Sequence, residues 1–247
     1  VKKIFFLSTT DFFNIYFIKI EKLFRIINDK IMRKKSQTIF RISLIINVIL
    51  ILVISIIAFQ FSGKIYDKIA SFRSCKIVML GDSFISRGNW NKDLNRTDIK
   101  NSGFGGSTTS HYIGMLKSKV IKFEPEICFI IGGTNDISVG IPLSRTYKNF
   151  ELIVDTLLKY NIEPVLQSTP FVNQPGDSVV NSKIDSLNHF LNQLATNRKI
   201  IYLNINTFLS ENKRLKSEYS KDGVHINEKA YKIWISHIKK TLVQKGI

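Results

Sequence analysis

Four short blocks of this chain set glycine beside residues that can do chemistry: Gly81-Asp82-Ser83, Gly103-Phe104-Gly105-Gly106, Gly132-Gly133-Thr134-Asn135-Asp136 and Asp222-Gly223-Val224-His225. A serine hydroxyl is a poor nucleophile at neutral pH and needs an adjacent base. Histidine, which changes charge near neutrality, is the common base. Backbone N–H groups and side-chain amides are the usual donors to a developing oxyanion. Taken singly, each block also reads as a turn: a tight turn at Gly81-Asp82-Ser83, an Asx-capped loop at 132–136, a turn with a surface histidine at 222–225. Asp82 and Asp136 read as structural carboxylates that bond loop amides. His111, His189 and His237 fall in expected helices, and no spacing among them suggests metal ligation. Trp90 either lines an acyl pocket or packs. Two cysteines, Cys75 and Cys128, exclude a four-cysteine zinc site and a disulfide scaffold, and read as buried thiols.

The elements that must position these blocks alternate. Apolar runs at 76–80, 127–131, 164–168 and 200–203, with a poorer one at 98–101, read as five strands. Helical spacing lies between them: Tyr147, Phe150, Val154, Leu157 and Leu158 share one face; Ile184, Leu187, Leu191 and Leu194 another; Ala230, Ile233, Trp234 and Ile238 a third, with Asn227 as N-cap. A further helix is expected over 108–121. Strand–helix alternation implies a parallel sheet with helices on both faces, and ligands at the carboxyl ends of the strands. The first three blocks stand at those ends, and the fourth precedes the last helix.

Upstream the composition changes. The chain of 247 residues carries 36 Lys+Arg and 19 Asp+Glu, a net charge of +17, with 44% hydrophobic residues. That is too apolar for a disordered chain. The surplus is front-loaded, and beside it residues 42–63 form an uncharged run of the length a bilayer needs. The run exceeds the apolar region of a cleaved signal peptide and lacks a small-residue cleavage site, so a retained signal anchor is expected. Arg33, Lys34, Lys35 and Arg41 before it put the N-terminus in the cytoplasm and everything after about residue 64 outside the cytoplasmic membrane, in a single pass. Residues 1–31, aromatic but broken by charges, read as an interfacial helix or as untranslated, with Met32 as the start. The organisation is then a basic segment 1–41, a span 42–63, a linker 64–75 and one domain 76–247.

In this order and at these places, the four blocks resemble the SGNH (GDSL-type) hydrolase family over residues 76–243. The resemblance implies an α/β three-layer sandwich with a five-stranded, mostly parallel, flavodoxin-like sheet, and the apolar run 42–63 places one transmembrane helix before it. It implies Ser83 as nucleophile, Asp222 and His225 as its partners, and Ser83, Gly106 and Asn135 as oxyanion donors, with no cofactor and no metal. Among these Gly106 has a neighbour, Gly105, that shifts the register by one. Physical chemistry agrees with the roles: His225 serves as base, and Asp222, three residues earlier, holds its tautomer.

The expectation is a membrane-anchored serine esterase acting on a carboxylic ester, an O-acetyl glycan or a lipid ester, through an acyl-serine. Two alternatives stand beside it: an acyltransferase that moves the acyl group to an envelope sugar, and a non-catalytic basic binding module. The domain lacks an aromatic–basic motif for nucleic acid. There is no G-x-S-x-G and no G-x-x-x-x-G-K-[ST]. Loops 84–97 and 170–180 are expected to carry specificity.

Overall fold

The computed structural model describes residues 9–70 and 75–247; residues 1–8, and residues 71–74 of the segment read as a linker, lie outside the described residues. The chain divides into two compact units between Tyr66 and Asp67.

The first unit is built on one helix, α1 (Thr9–Ala70). At 1.5 Å per residue it is roughly 90 Å long. Neither Pro nor Gly occurs before Gly63, so nothing breaks the helix between the segment read as interfacial and the span. It also continues through residues 64–70, the first part of the expected linker. Within it, Ile18–Ile57 is long and apolar enough to cross a membrane, and side chains such as Ile45, Leu50 and Ile54 are exposed.

The second unit runs in the order β1 (Ile77–Gly81), α2 (Ser83–Ser86), α3 (Trp90–Leu94), β2 (Ile99–Gly103), α4 (Thr109–Lys119), β3 (Ile127–Ile130), α5 (Thr134–Ser138), α6 (Leu143–Lys159), β4 (Glu163–Gln167), α7 (Ser178–Arg198), β5 (Ile201–Leu203), α8 (Asn206–Leu209), a small antiparallel pair β6 (Ser210–Glu211) and β7 (Arg214–Leu215), and α9 (Glu228–Gln244). The five-stranded sheet has the order β2-β1-β3-β4-β5, the flavodoxin-like order. It is entirely parallel rather than mostly so.

Successive strand residues face opposite ways, and the two cores divide accordingly. Val78, Leu80, Cys128, Ile130 and Leu166 pack under α4, α6 and α7, against Tyr112, Phe150, Val154, Leu157 and Leu187. Ile77, Met79, Ile127, Phe129 and Val165 pack under α2, α3, α8 and α9, against Phe84, Trp90, Leu209 and Trp234. A sheet covered on both faces accounts for the unbroken apolar strands.

Most expected helix faces hold. Ile184, Leu187, Leu191 and Leu194 are buried, and the Asn227 side chain accepts the Ala230 N–H at 3.1 Å as the N-cap of α9. Leu158 does not: it is exposed, and the buried stripe of α6 runs instead through Phe150, Ile153, Val154 and Leu157. In α9 Ile233 is half-buried while Ile235 is buried. Segment 84–97, expected as a specificity loop, holds most of α2 and all of α3.

Trp234 is fully buried, and its indole N–H donates to Gln167 Oε1 at 2.6 Å. Trp234→Ala is expected to cost about 3–5 kcal/mol. Trp234→Phe, which strands the Gln167 oxygen, is expected to cost about 1–3 kcal/mol. Denaturant unfolding of the two variants checks the order.

Candidate active site

The strand order reverses between β1 and β3, and a crevice opens beyond their carboxyl ends. Ser83 begins α2 immediately after β1. Asp82 caps that helix, its Oδ1 accepting the Phe84 N–H at 3.0 Å. Asp82 is wholly buried and its Oδ2 has no hydrogen-bond partner. Loss of hydration pushes its pKa up to about 7, against the pull of the Phe84 N–H.

Helix α2 is also held from its far side. Tyr231 Oη donates to the Phe84 carbonyl at 2.7 Å. The Ile85 carbonyl accepts from Trp90 Nε1 at 2.9 Å and from Asn101 Nδ2 at 3.0 Å. Trp90 therefore packs and pins, edge-on to Trp234 with ring centroids 5.1 Å apart, and does not line an acyl pocket. Gly103 lets β2 come against this helix: a Cβ there would lie 2.3 Å from the Ser86 nitrogen.

His225 arrives from the other end of the domain. Its Nε2 is 3.1 Å from Ser83 Oγ, and its Nδ1 is 2.7 Å from Asp222 Oδ2. The second carboxylate oxygen, Asp222 Oδ1, accepts the backbone N–H groups of His225 at 2.7 Å and Val224 at 3.1 Å. The His225 backbone N–H, followed by its ring, holds the Asp222 carboxyl well below the usual range. The turn carrying both is fixed by the Gly223 N–H on Ser220 Oγ at 2.7 Å, the Lys221 N–H on the His225 carbonyl at 2.7 Å, and the Asn173 N–H on the Gly223 carbonyl at 2.6 Å.

The second and third blocks meet. Asn135 Nδ2 donates to the Ser107 carbonyl at 2.9 Å. Asp136, buried, accepts from the Thr109 N–H at 3.0 Å and the Thr109 hydroxyl at 2.5 Å, which is the structural part expected of it. Gly106 has φ +76°, a left-handed conformation that disfavours any side chain, whereas Gly105 does not. Among the described residues no protein acceptor takes the backbone N–H of Ser83 or Gly106. Each of these two donors is free for a ligand.

The remaining histidines lie elsewhere. His111 Nδ1 accepts the Thr108 N–H at 3.0 Å in a capping box of α4. His237 stacks on Phe208, and His189 is exposed. Both cysteines are buried. Tyr231, Asn101, Asn173 and Ser220 were not anticipated: each acts through its neighbours' backbone, and no local spacing marks such a residue.

Residues 79–233 match the model of the GDSL-like lipase/acylhydrolase family. An N-acylneuraminate cytidylyltransferase of Streptococcus agalactiae is 25% identical over 183 residues, which are 70% of this chain and 42% of that protein. The chain thus spans less than half the length of the curated relatives it matches. Among solved structures, a GDSL-like lipase from Bacteroides thetaiotaomicron superposes with a TM-score of 0.63 at 23% identity, covering 74% of this chain and 98% of that one. A lipase/acylhydrolase from Enterococcus faecalis superposes with a TM-score of 0.57 at 18% identity, covering 68% and 95%.

A carboxyl group whose pKa is raised in the fold adds stability below its unfolded pKa, near 3.8, and that stability is lost as the pH rises through about 7. Asp82→Asn keeps the cap acceptor and removes the titration. The melting temperature of the variant minus that of the wild type is expected to rise by about 5–10 °C between pH 4 and pH 8. A flat difference would mean that Asp82 titrates normally.

Proposed function

The chain belongs to the GDSL-like lipase/acylhydrolase family, and from that premise we propose that it is an ester hydrolase, a membrane-anchored serine esterase with Ser83 as nucleophile. In this reading His225 Nε2 takes the proton of Ser83 Oγ as that oxygen attacks the ester carbonyl. Asp222 holds the ring and stabilises the imidazolium. The tetrahedral oxyanion is met by the backbone N–H groups of Ser83 and Gly106 and by the Asn135 amide. Asn135 Nδ2 has two hydrogens, and its bond to Ser107 uses one of them. Collapse returns the proton from His225 to the leaving alcohol and leaves an acyl-Ser83. Water, deprotonated by His225, releases the acid and restores the hydroxyl.

The observation that carries the reading is the run of contacts from Asp222 Oδ2 through His225 to Ser83 Oγ, at 2.7 and 3.1 Å. The apolar exposed run within α1 and the basic residues before it support anchoring, with the second unit outside the cytoplasmic membrane. An ester of the cell envelope follows from that location, an O-acyl glycan or a lipid ester. The streptococcal relative is named for an N-acylneuraminate, a sugar acid, which favours the glycan.

Ser83→Ala is expected to abolish ester turnover and the acyl-enzyme seen by mass spectrometry. Asn135→Ala is expected to lower kcat by about 10²–10³ with the fold intact. Gly106→Ala is expected to lose more activity than Gly105→Ala. Full turnover by Ser83→Ala would overturn the assignment. For the topology, a C-terminal alkaline phosphatase fusion should be active; an inactive fusion, with an active cytoplasmic reporter in the same place, would reverse the orientation.

A further inference from the structure

A cleft of about 520 Å³ opens between α2–α3 and the helix that follows His225, α9. Four cations line it, Arg87, Lys92, Lys232 and Lys239, against two carboxylates, Asp93 and Glu228. All four cations are exposed, and none joins an ion pair among the described residues. Some cations elsewhere on the domain pair: Lys229, on another side of α9, meets Glu218 at 2.6 Å, and Lys213 meets Asp185 at 2.9 Å.

The lining of the cleft follows the site residues closely along the chain, although neither Ser83 nor His225 lines it. Arg87 stands four residues after Ser83, and its N–H bonds the Ser83 carbonyl at 3.2 Å. Residues four apart share a helix face, so the guanidinium starts one turn from the reacting hydroxyl. On α9, Glu228, Lys232, Ile235 and Lys239 fall on one stripe that begins three residues after His225. The oxyanion donors at Gly106 and Asn135 lie in the segments that follow β2 and β3, whereas His225, which in the proposed mechanism returns the proton to the departing oxygen, leads into α9. An alcohol departing past His225 on the α9 side would lie toward the four cations.

We propose that the cleft binds an anionic alcohol part of the ester, with a carboxylate or phosphate seated on Arg87 and Lys232 and further negative charge reaching Lys92 and Lys239. This makes Arg87 and Lys232 specificity-determining residues. It rests on the assignment of Ser83 and His225 above. Unpaired cations lining a cleft attract an anion over several ångströms and weaken with salt.

The test uses the full chain in detergent. Calorimetry on Ser83→Ala titrates glucuronate as a carboxylate, glycerol 1-phosphate as a phosphate, and glucose as the neutral control. At least one anion is expected to bind and glucose not. That binding should weaken about tenfold with Arg87→Gln/Lys232→Gln added, and in 0.5 M against 0.05 M NaCl. The anion that binds distinguishes an acidic sugar from a phosphate ester. Binding of neither anion, or binding indifferent to the substitutions, overturns the proposal. In parallel, kcat/KM for 4-acetoxybenzoate relative to phenyl acetate is expected to fall about tenfold in Arg87→Gln/Lys232→Gln, and an unchanged ratio counts against it. Wild-type protein that hydrolyses phenyl acetate but binds no anion sinks this inference alone. Anion binding with no ester hydrolysis sinks the assignment of Ser83 instead.

Discussion

Four residues of helix cannot support themselves. Helix formation has a costly nucleus, and segments far longer than α2 are marginal in water. The position of Ser83 therefore depends on bonds from outside its own helix. Asp82 supplies one at the start, and Tyr231, Trp90 and Asn101 take the carbonyls of Phe84 and Ile85 behind it. Asp82 directly follows β1 and the other three come from α9, α3 and β2, so the hydroxyl is placed by several separate parts of the domain. The cap itself is a wholly buried carboxyl, held there at the cost of a strongly raised pKa.

The same economy governs the other side of the site. His225 meets Ser83 from 142 residues away in the chain. The contact is made by a short turn whose carboxylate, Asp222, spends one oxygen on the turn's own N–H groups and the other on the ring. One side chain thus shapes the backbone and orients the imidazole together. Parallel strands deliver the remaining groups: β1, β2 and β3 end side by side, so the residues that follow them converge without any long loop.

Much of this was legible in the sequence. Strands buried on both faces read as unbroken apolar runs, and all five expected strands exist within a residue or two. The chemistry-bearing residues announced themselves because glycine stood close to each, at a strand end in the first three blocks and before the last helix in the fourth. What stayed hidden was of two kinds. Short helices such as α2 and α3 carry too few turns to show a period, so 84–97 read as a loop. Pinning residues such as Tyr231 and Asn101 act on the backbone of a distant segment, and a single sequence holds no record of that pairing. Leu158 was misplaced for a simpler reason: an apolar residue beside a buried stripe fits the period but need not be covered. At the N-terminus, charge and hydropathy marked the apolar span, but the absence of any breaker before Gly63, which runs the helix from Thr9 to Ala70, was the stronger signal.

The chain has only two tryptophans, and Trp90 and Trp234 lie edge to face in the layer beneath Ser83. One bonds the carbonyl that closes α2; the other bonds Gln167 at the end of β4. The protein's intrinsic indole emission therefore originates wholly from the scaffold under the nucleophile. It is silent about α1, which has no tryptophan, so the seat of the site can be followed optically even with the long helix in a detergent micelle.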